Sequence, residues 1–147
     1  MKTVFIISSV ILSLLTACGN DSSVGIIGGA DGPTSIIISE KGEEIMYEQI
    51  SMDEAKKIME SEEDYILLDV REQEEFDEGH IPGAILIPHT EIEAKAEGKL
   101  TDKDELILVY CRSGRRSKIA SESLAKLGYT NVKEFGGIID WPGEIEK

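Results

Sequence analysis

Two stretches, Tyr65-Ile66-Leu67-Leu68-Asp69-Val70 and Leu106-Ile107-Leu108-Val109-Tyr110, are apolar at almost every position and have the length of a β-strand. A strand with one face in water alternates polar and apolar residues, whereas one covered on both faces does not. Helical patterns stand between such runs, which predicts an α/β fold: a mostly parallel sheet with helices on both faces. Met46 to Ile50 reads as a weak first strand, and Ser51-Met52-Asp53-Glu54 is a capping box that opens a helix through about Glu60. Glu72 to Glu78 is a short acidic helix that stops at Gly79, its acidic run read as a solvated face. Ala84 to Ile87 is a strand bounded by Pro82 and Pro88, and Thr90 to Glu97 is helical. Arg115 to Leu127 forms a further helix with Gly128 as its stop, and Val132 to Phe135 is the last of five strands.

At 147 residues the chain has room for one such domain. Its 15 basic and 29 acidic residues leave a formal charge of −14, so no surface-wide positive field exists to hold nucleic acid. Any anion it handles must meet a local basic site. Two cysteines exclude a disulfide scaffold.

The segment before the domain divides in two. Lys2 precedes Val4 to Ala17, an uncharged stretch of signal-peptide length that is too short to span a bilayer. It ends in Leu15-Thr16-Ala17-Cys18, which resembles the lipobox of bacterial lipoproteins. That resemblance implies cleavage after residue 17, acylation of Cys18, and a membrane partner reached through the lipid. The protein is then expected on the extracytoplasmic face of the cell membrane, with Cys111 as the sole thiol of the mature chain. An unpaired Cys in such a compartment is a candidate for reactivity.

Residues 18–44 are rich in Gly, Ser, Asp and Glu and read as a flexible tether, with the domain at 45–147. Within the tether, Val24 to Ile38 resembles a membrane-embedded stretch of the beta subunits of sodium-pumping decarboxylases. Asp31 without the surrounding helices cannot build a sodium path, so the tether reading is kept.

In parallel sheets, sites lie beyond the carboxyl ends of the strands. Two polar clusters fall there: Asp69-Val70-Arg71 and Cys111-Arg112-Ser113-Gly114-Arg115-Arg116-Ser117. Cys111 follows a buried strand directly and precedes a helix, so its sulfur is expected in a cup of backbone N–H groups that favours an accessible thiolate. Arg112, Arg115, Arg116 and Lys118 would further lower the thiol pKa and draw in an anionic substrate. Gly114 permits the backbone of an anion nest. The competing reading is a buried core thiol beside a solvated helix start. Against it stand the position at the strand end and the local concentration of cations.

Taken together, Asp69-Val70-Arg71-Glu72, Glu75-Phe76, Gly79-His80-Ile81-Pro82-Gly83-Ala84, Cys111 to Ser117, and Gly136-Gly137 through Trp141 resemble the single-domain rhodanese family. The resemblance implies a sulfurtransferase in which Cys111 takes sulfane sulfur from thiosulfate or a similar small anionic donor. Cys111 then holds it as a persulfide and passes it to cyanide or a thiol acceptor. Arg112, Ser113, Gly114, Arg115, Arg116 and Ser117 would bind the substrate, and Asp69 and Arg71 would support the loop through hydrogen bonds. Gly136 and Gly137 close the family pattern, and Trp141 is expected to pack under the loop side of the sheet. His80 reads as a turn residue whose imidazole bonds nearby backbone. No metal and no cofactor are expected, since His80 and His89 lack metal-ligand spacing. Two rivals remain: a persulfide carrier or binding module with little turnover, and a phosphatase or arsenate reductase of related fold. The latter uses a longer loop with Arg at the sixth position after Cys, where this chain has Ser117.

Overall fold

The computed structural model describes residues 36–38 and 44–147. The signal segment 1–17, Cys18 and most of the tether, Asp31 included, lie outside the described residues. Ile36–Ile38 (β1) and Glu44–Met46 (β2) pair antiparallel in a two-stranded ribbon.

The main sheet has five strands: β3 (Glu48–Gln49), β4 (Ile66–Asp69), β5 (Ile85–Leu86), β6 (Ile107–Cys111) and β7 (Val132–Gly137). They lie in the order β3-β7-β6-β4-β5, and every pairing is parallel. The helices are α1 (Met52–Ser61), α2 (Gln73–Glu78), α3 (Ile92–Lys99) and α4 (Arg115–Lys126). The elements read from the sequence all form, with ends shifted by a few residues. Ser51 and Glu54 make the expected reciprocal cap on α1. Gly79 and Gly128 end α2 and follow α4 with positive φ.

Two apolar clusters explain why the central strands carry no alternation. Leu68, Val70, Ile107 and Val109 pack with Ile92, Ala96, Ala120 and Leu124 of α3 and α4. Leu67, Leu108, Tyr110 and Phe135 pack with Ala55 of α1, Ile81 and Trp141 on the other face. Successive side chains enter different clusters, so β4 and β6 are apolar on both faces up to their carboxyl ends, where Asp69 and Cys111 stand. Trp141 tilts against Phe135 at 5.7 Å between ring centroids, on the α1 side.

Candidate active site

Alternation along β6 decides where its last side chain goes. Ile107 and Val109 face α3 and α4, and Cys111 follows them onto that side. The chain then turns through Arg112, Ser113 and Gly114 into the first turn of α4. Gly114 takes φ 98°, a left-handed conformation that reverses the backbone and turns its amide inward. That amide donates to Cys111 Sγ at 3.0 Å. The amides of Ser113 and Ser117 and the Ser117 hydroxyl add to its effect in favouring the thiolate. Burial pushes the Cys111 thiol up, but these four donors outweigh burial and hold it below its ordinary value.

Two details differ from expectation. The Cys111 residue is 0% exposed, where an accessible thiol was expected at the strand end. The reason lies in β7: Gly137 is the register partner of Cys111, and its backbone lies against the loop. A Cβ on Gly137 would stand 2.1 Å from the Arg112 carbonyl oxygen. The Ile139 amide donates to that same carbonyl at 3.2 Å. Glycine therefore lets the loop close down on its own sulfur, leaving Arg112 and Ser113 as the exposed rim.

The second difference concerns the cations. The thiol is held down by the Ser117 hydroxyl and the amides of Ser117, Gly114 and Ser113 rather than by the cations. Arg112, Arg115 and Lys118 are exposed, and no ion pair among the described residues engages them. Arg116 instead puts both guanidinium arms on Glu75 of α2, at 2.6 and 2.8 Å. This corrects the reading of Glu75 as part of a solvated helix face. The Arg116 hydrogen bond, with help from the Glu72 amide, holds the Glu75 carboxyl down to about 2.

Asp69 and Arg71 are buried, at 0% and 5% exposure, so they are not a surface pair. The Arg71 Nε and Nη2 donate to Asp69 at 2.7 to 3.0 Å, and Nη2 also donates to the Gly79 carbonyl at 2.7 Å. Their bonds thus tie the end of β4 to the turn after α2. His80 stacks on Phe76 with ring centroids 3.8 Å apart, and its Nδ1 lies 3.0 Å from the Phe76 carbonyl. Among the described residues, no group of three or more His, Cys, Asp or Glu side chains is placed to hold a metal ion.

Sequence reasoning missed Glu134. It sits on β7 between Val132, which faces α4, and Phe135, which faces α1, and only 3% of it is exposed. Its Oε1 accepts from the Ser117 hydroxyl at 2.6 Å and from the Gly136 amide at 2.9 Å, and its Oε2 from Gln49 Nε2 at 3.2 Å. The available signal was an acidic residue inside a strand that the pattern requires to be buried.

Residues 51–143 match the rhodanese-like domain family. The "Putative sulfur carrier protein YrkF" of Bacillus subtilis is 39% identical over 99 residues, covering 67% of this chain and 52% of that one. The chain therefore spans about half the length of that relative. The thiosulfate sulfurtransferase PspE of Escherichia coli is 40% identical over 73 residues, which is 50% of this chain and 70% of PspE. A solved structure described as a rhodanese with anions from E. coli is 36% identical, with a TM-score of 0.54 over 56% of this chain and 98% of that one. These similarities support a transferase of the rhodanese type. With its all-parallel five-stranded sheet and its cysteine loop at the end of the central strand, the chain belongs to the rhodanese-like domain family.

Proposed function

We propose that the protein is a sulfurtransferase that moves sulfane sulfur from thiosulfate, through a persulfide on Cys111, to cyanide or a thiol. The observation that carries this reading is the set of hydrogen-bond donors converging on one sulfur at the N-terminus of α4. Such a cup favours the thiolate in the free enzyme and an anionic outer sulfur in the loaded one.

In the first half-reaction the Cys111 thiolate attacks the outer sulfur of thiosulfate. The Sγ–S bond forms, the S–S bond of thiosulfate breaks, and its electron pair leaves with sulfite. The exposed Arg112 and Arg115 at the rim would draw in the dianionic donor and steady the departing sulfite. In the second half-reaction a nucleophile attacks the outer sulfur and returns the electron pair to Sγ.

The name of the YrkF relative favours a second reading, a persulfide carrier with slow turnover by itself. The phosphatase reading loses support because Arg116 is engaged by Glu75 and the sixth position holds the buried Ser117. Thiocyanate formation from thiosulfate and cyanide by the full-length protein tests the enzyme, and retention of it in Cys111→Ser would overturn the mechanism. A Cys111 that gains one sulfur by mass spectrometry but releases it with negligible turnover would favour the carrier.

We also propose residues 1–17 as a cleaved signal, Cys18 as the acylated residue, and residues 18–44 as the tether that holds the domain outside the cell membrane. Labelled fatty acid should enter the wild type and not Cys18→Ala. Equal labelling would refute the anchor.

A further inference from the structure

Ser117 has one hydroxyl proton and two anionic neighbours that compete for it. Its Oγ lies 2.6 Å from Glu134 Oε1, a short charge-assisted contact, and 3.0 Å from the Gly114 carbonyl. Gly114 in turn sets its amide on the Cys111 sulfur at 3.0 Å, and the Ser117 hydroxyl is among the groups that lower that thiol. All three partners of Glu134 are donors, namely Ser117, the Gly136 amide and Gln49 Nε2, which is the environment of an ionised carboxylate that only accepts. A buried carboxylate is thus joined to the Cys111 loop through one hydroxyl.

We propose that Glu134 is a positioning residue that acts on the Cys111 sulfur through Ser117 and biases the site toward its sulfur-loaded state. With Cys111 protonated, the S–H donates to Ser117 Oγ and the Ser117 O–H donates to Glu134, a continuous chain. When Cys111 is a thiolate, the Ser117 proton must turn to sulfur, Glu134 loses its shortest hydrogen bond, and two anions face each other across one oxygen. Loading relieves this conflict. The thiolate takes the outer sulfur of thiosulfate, sulfite leaves with the electron pair, and the negative charge moves to the outer sulfur. The inner sulfur becomes neutral, and Ser117 returns its proton to Glu134. The bias on loading rests on the sulfurtransferase reading, whereas the coupling of Glu134 to the thiol does not.

The other charged groups around the sulfur are not part of this chain. Arg116 on α4 acts on Cys111 by charge but is held by Glu75 of α2, with Glu72 nearby. Lys118 of α4 lines the same depression as Gln49 and Glu134 and is exposed. Tyr47, which precedes β3, has a thiol-independent relation to Glu134: burial and then the charges of Glu122 and Glu134 keep its hydroxyl protonated.

Glu134→Gln keeps an oxygen for the Gly136 amide and removes the charge. Its expected effect on the full-length protein is a lower titration midpoint for Cys111, read as iodoacetamide alkylation about tenfold faster below the wild-type midpoint. In a Ser117→Ala background the same substitution should give less than half of that acceleration. The equilibrium fraction of persulfide in a thiosulfate and sulfite mixture should fall about tenfold in Glu134→Gln. An unchanged alkylation profile would overturn the proposal, as would an undiminished effect without Ser117, since the charge would then act through space alone. A merely structural role would lower the unfolding midpoint and leave the thiol titration where it is. If wild-type Cys111 never gains sulfur while the alkylation shift persists, the sulfurtransferase reading fails and the coupling stands.

Discussion

Arg116 and Glu75 form a two-pronged ion pair, at 2.6 and 2.8 Å, that fastens the first turn of α4 to α2. The pair joins the loop that carries Cys111 to an element more than thirty residues earlier in the chain. Its partners are about one-quarter exposed, so solvent screens it only in part.

The pair predicts an acid-dependent stability. Glu75 has a folded pKa of about 2, below the ordinary 4.5, so its contribution is fully present above about pH 5 and is lost as pH falls toward 2. After discounting for exposure, Glu75→Gln should cost about 1 to 2 kcal/mol at pH 7. Urea unfolding at pH 7 and near pH 2.5 measures the difference between wild type and variant. A gap that does not narrow in acid would refute this account.

The hydrogen-bonded cup predicts that Cys111 alkylates at pH values where an ordinary thiol is still protonated. Ser117→Ala removes a group that lowers the thiol and should raise the midpoint, slowing alkylation at neutral pH about tenfold. Iodoacetamide kinetics across pH provide the measurement, and an unshifted midpoint would assign the effect to the backbone amides alone.

Gly137 and Gly128 should respond differently to alanine. At Gly137 the new Cβ meets the Arg112 backbone, so the loop must move and sulfur transfer should drop at least about tenfold. At Gly128 nothing lies within 4 Å, and φ is 93°, so Gly128→Ala should cost about 1 to 2 kcal/mol of stability with activity kept. Assays of thiocyanate formation beside thermal unfolding separate the two. Full activity in Gly137→Ala would sink the close-approach argument.

Asp69→Asn should be among the most damaging single changes away from the loop. It leaves the Arg71 guanidinium buried against a neutral amide, and removal of one partner from such a pair costs about 3 to 5 kcal/mol. A loss below about 1 kcal/mol in urea unfolding would mean that Gly79 and the Tyr110 ring, 5.9 Å from the guanidinium, suffice to hold the charge.

Periodicity made the fold legible from the chain alone. Strands that are apolar throughout must be covered on both faces, and the capping box at Ser51 and the glycines at 79 and 128 mark ends through local chemistry. The position of Cys111 after the most apolar strand was enough to place it at the carboxyl edge of a parallel sheet, because side-chain alternation and helix starts are local properties.

Which groups reach the sulfur was settled only by tertiary structure. Arg116 and Arg115 are adjacent in sequence, yet one is engaged by Glu75 and the other lies open, because α2 packs beside only one of them. Glu134 is seventeen residues from Ser117 and meets it because β7 lies next to β6 with α4 laid over both. Local sequence determines what a segment can become, but charge pairing and burial depend on distances across the fold, and those follow from the strand order and register.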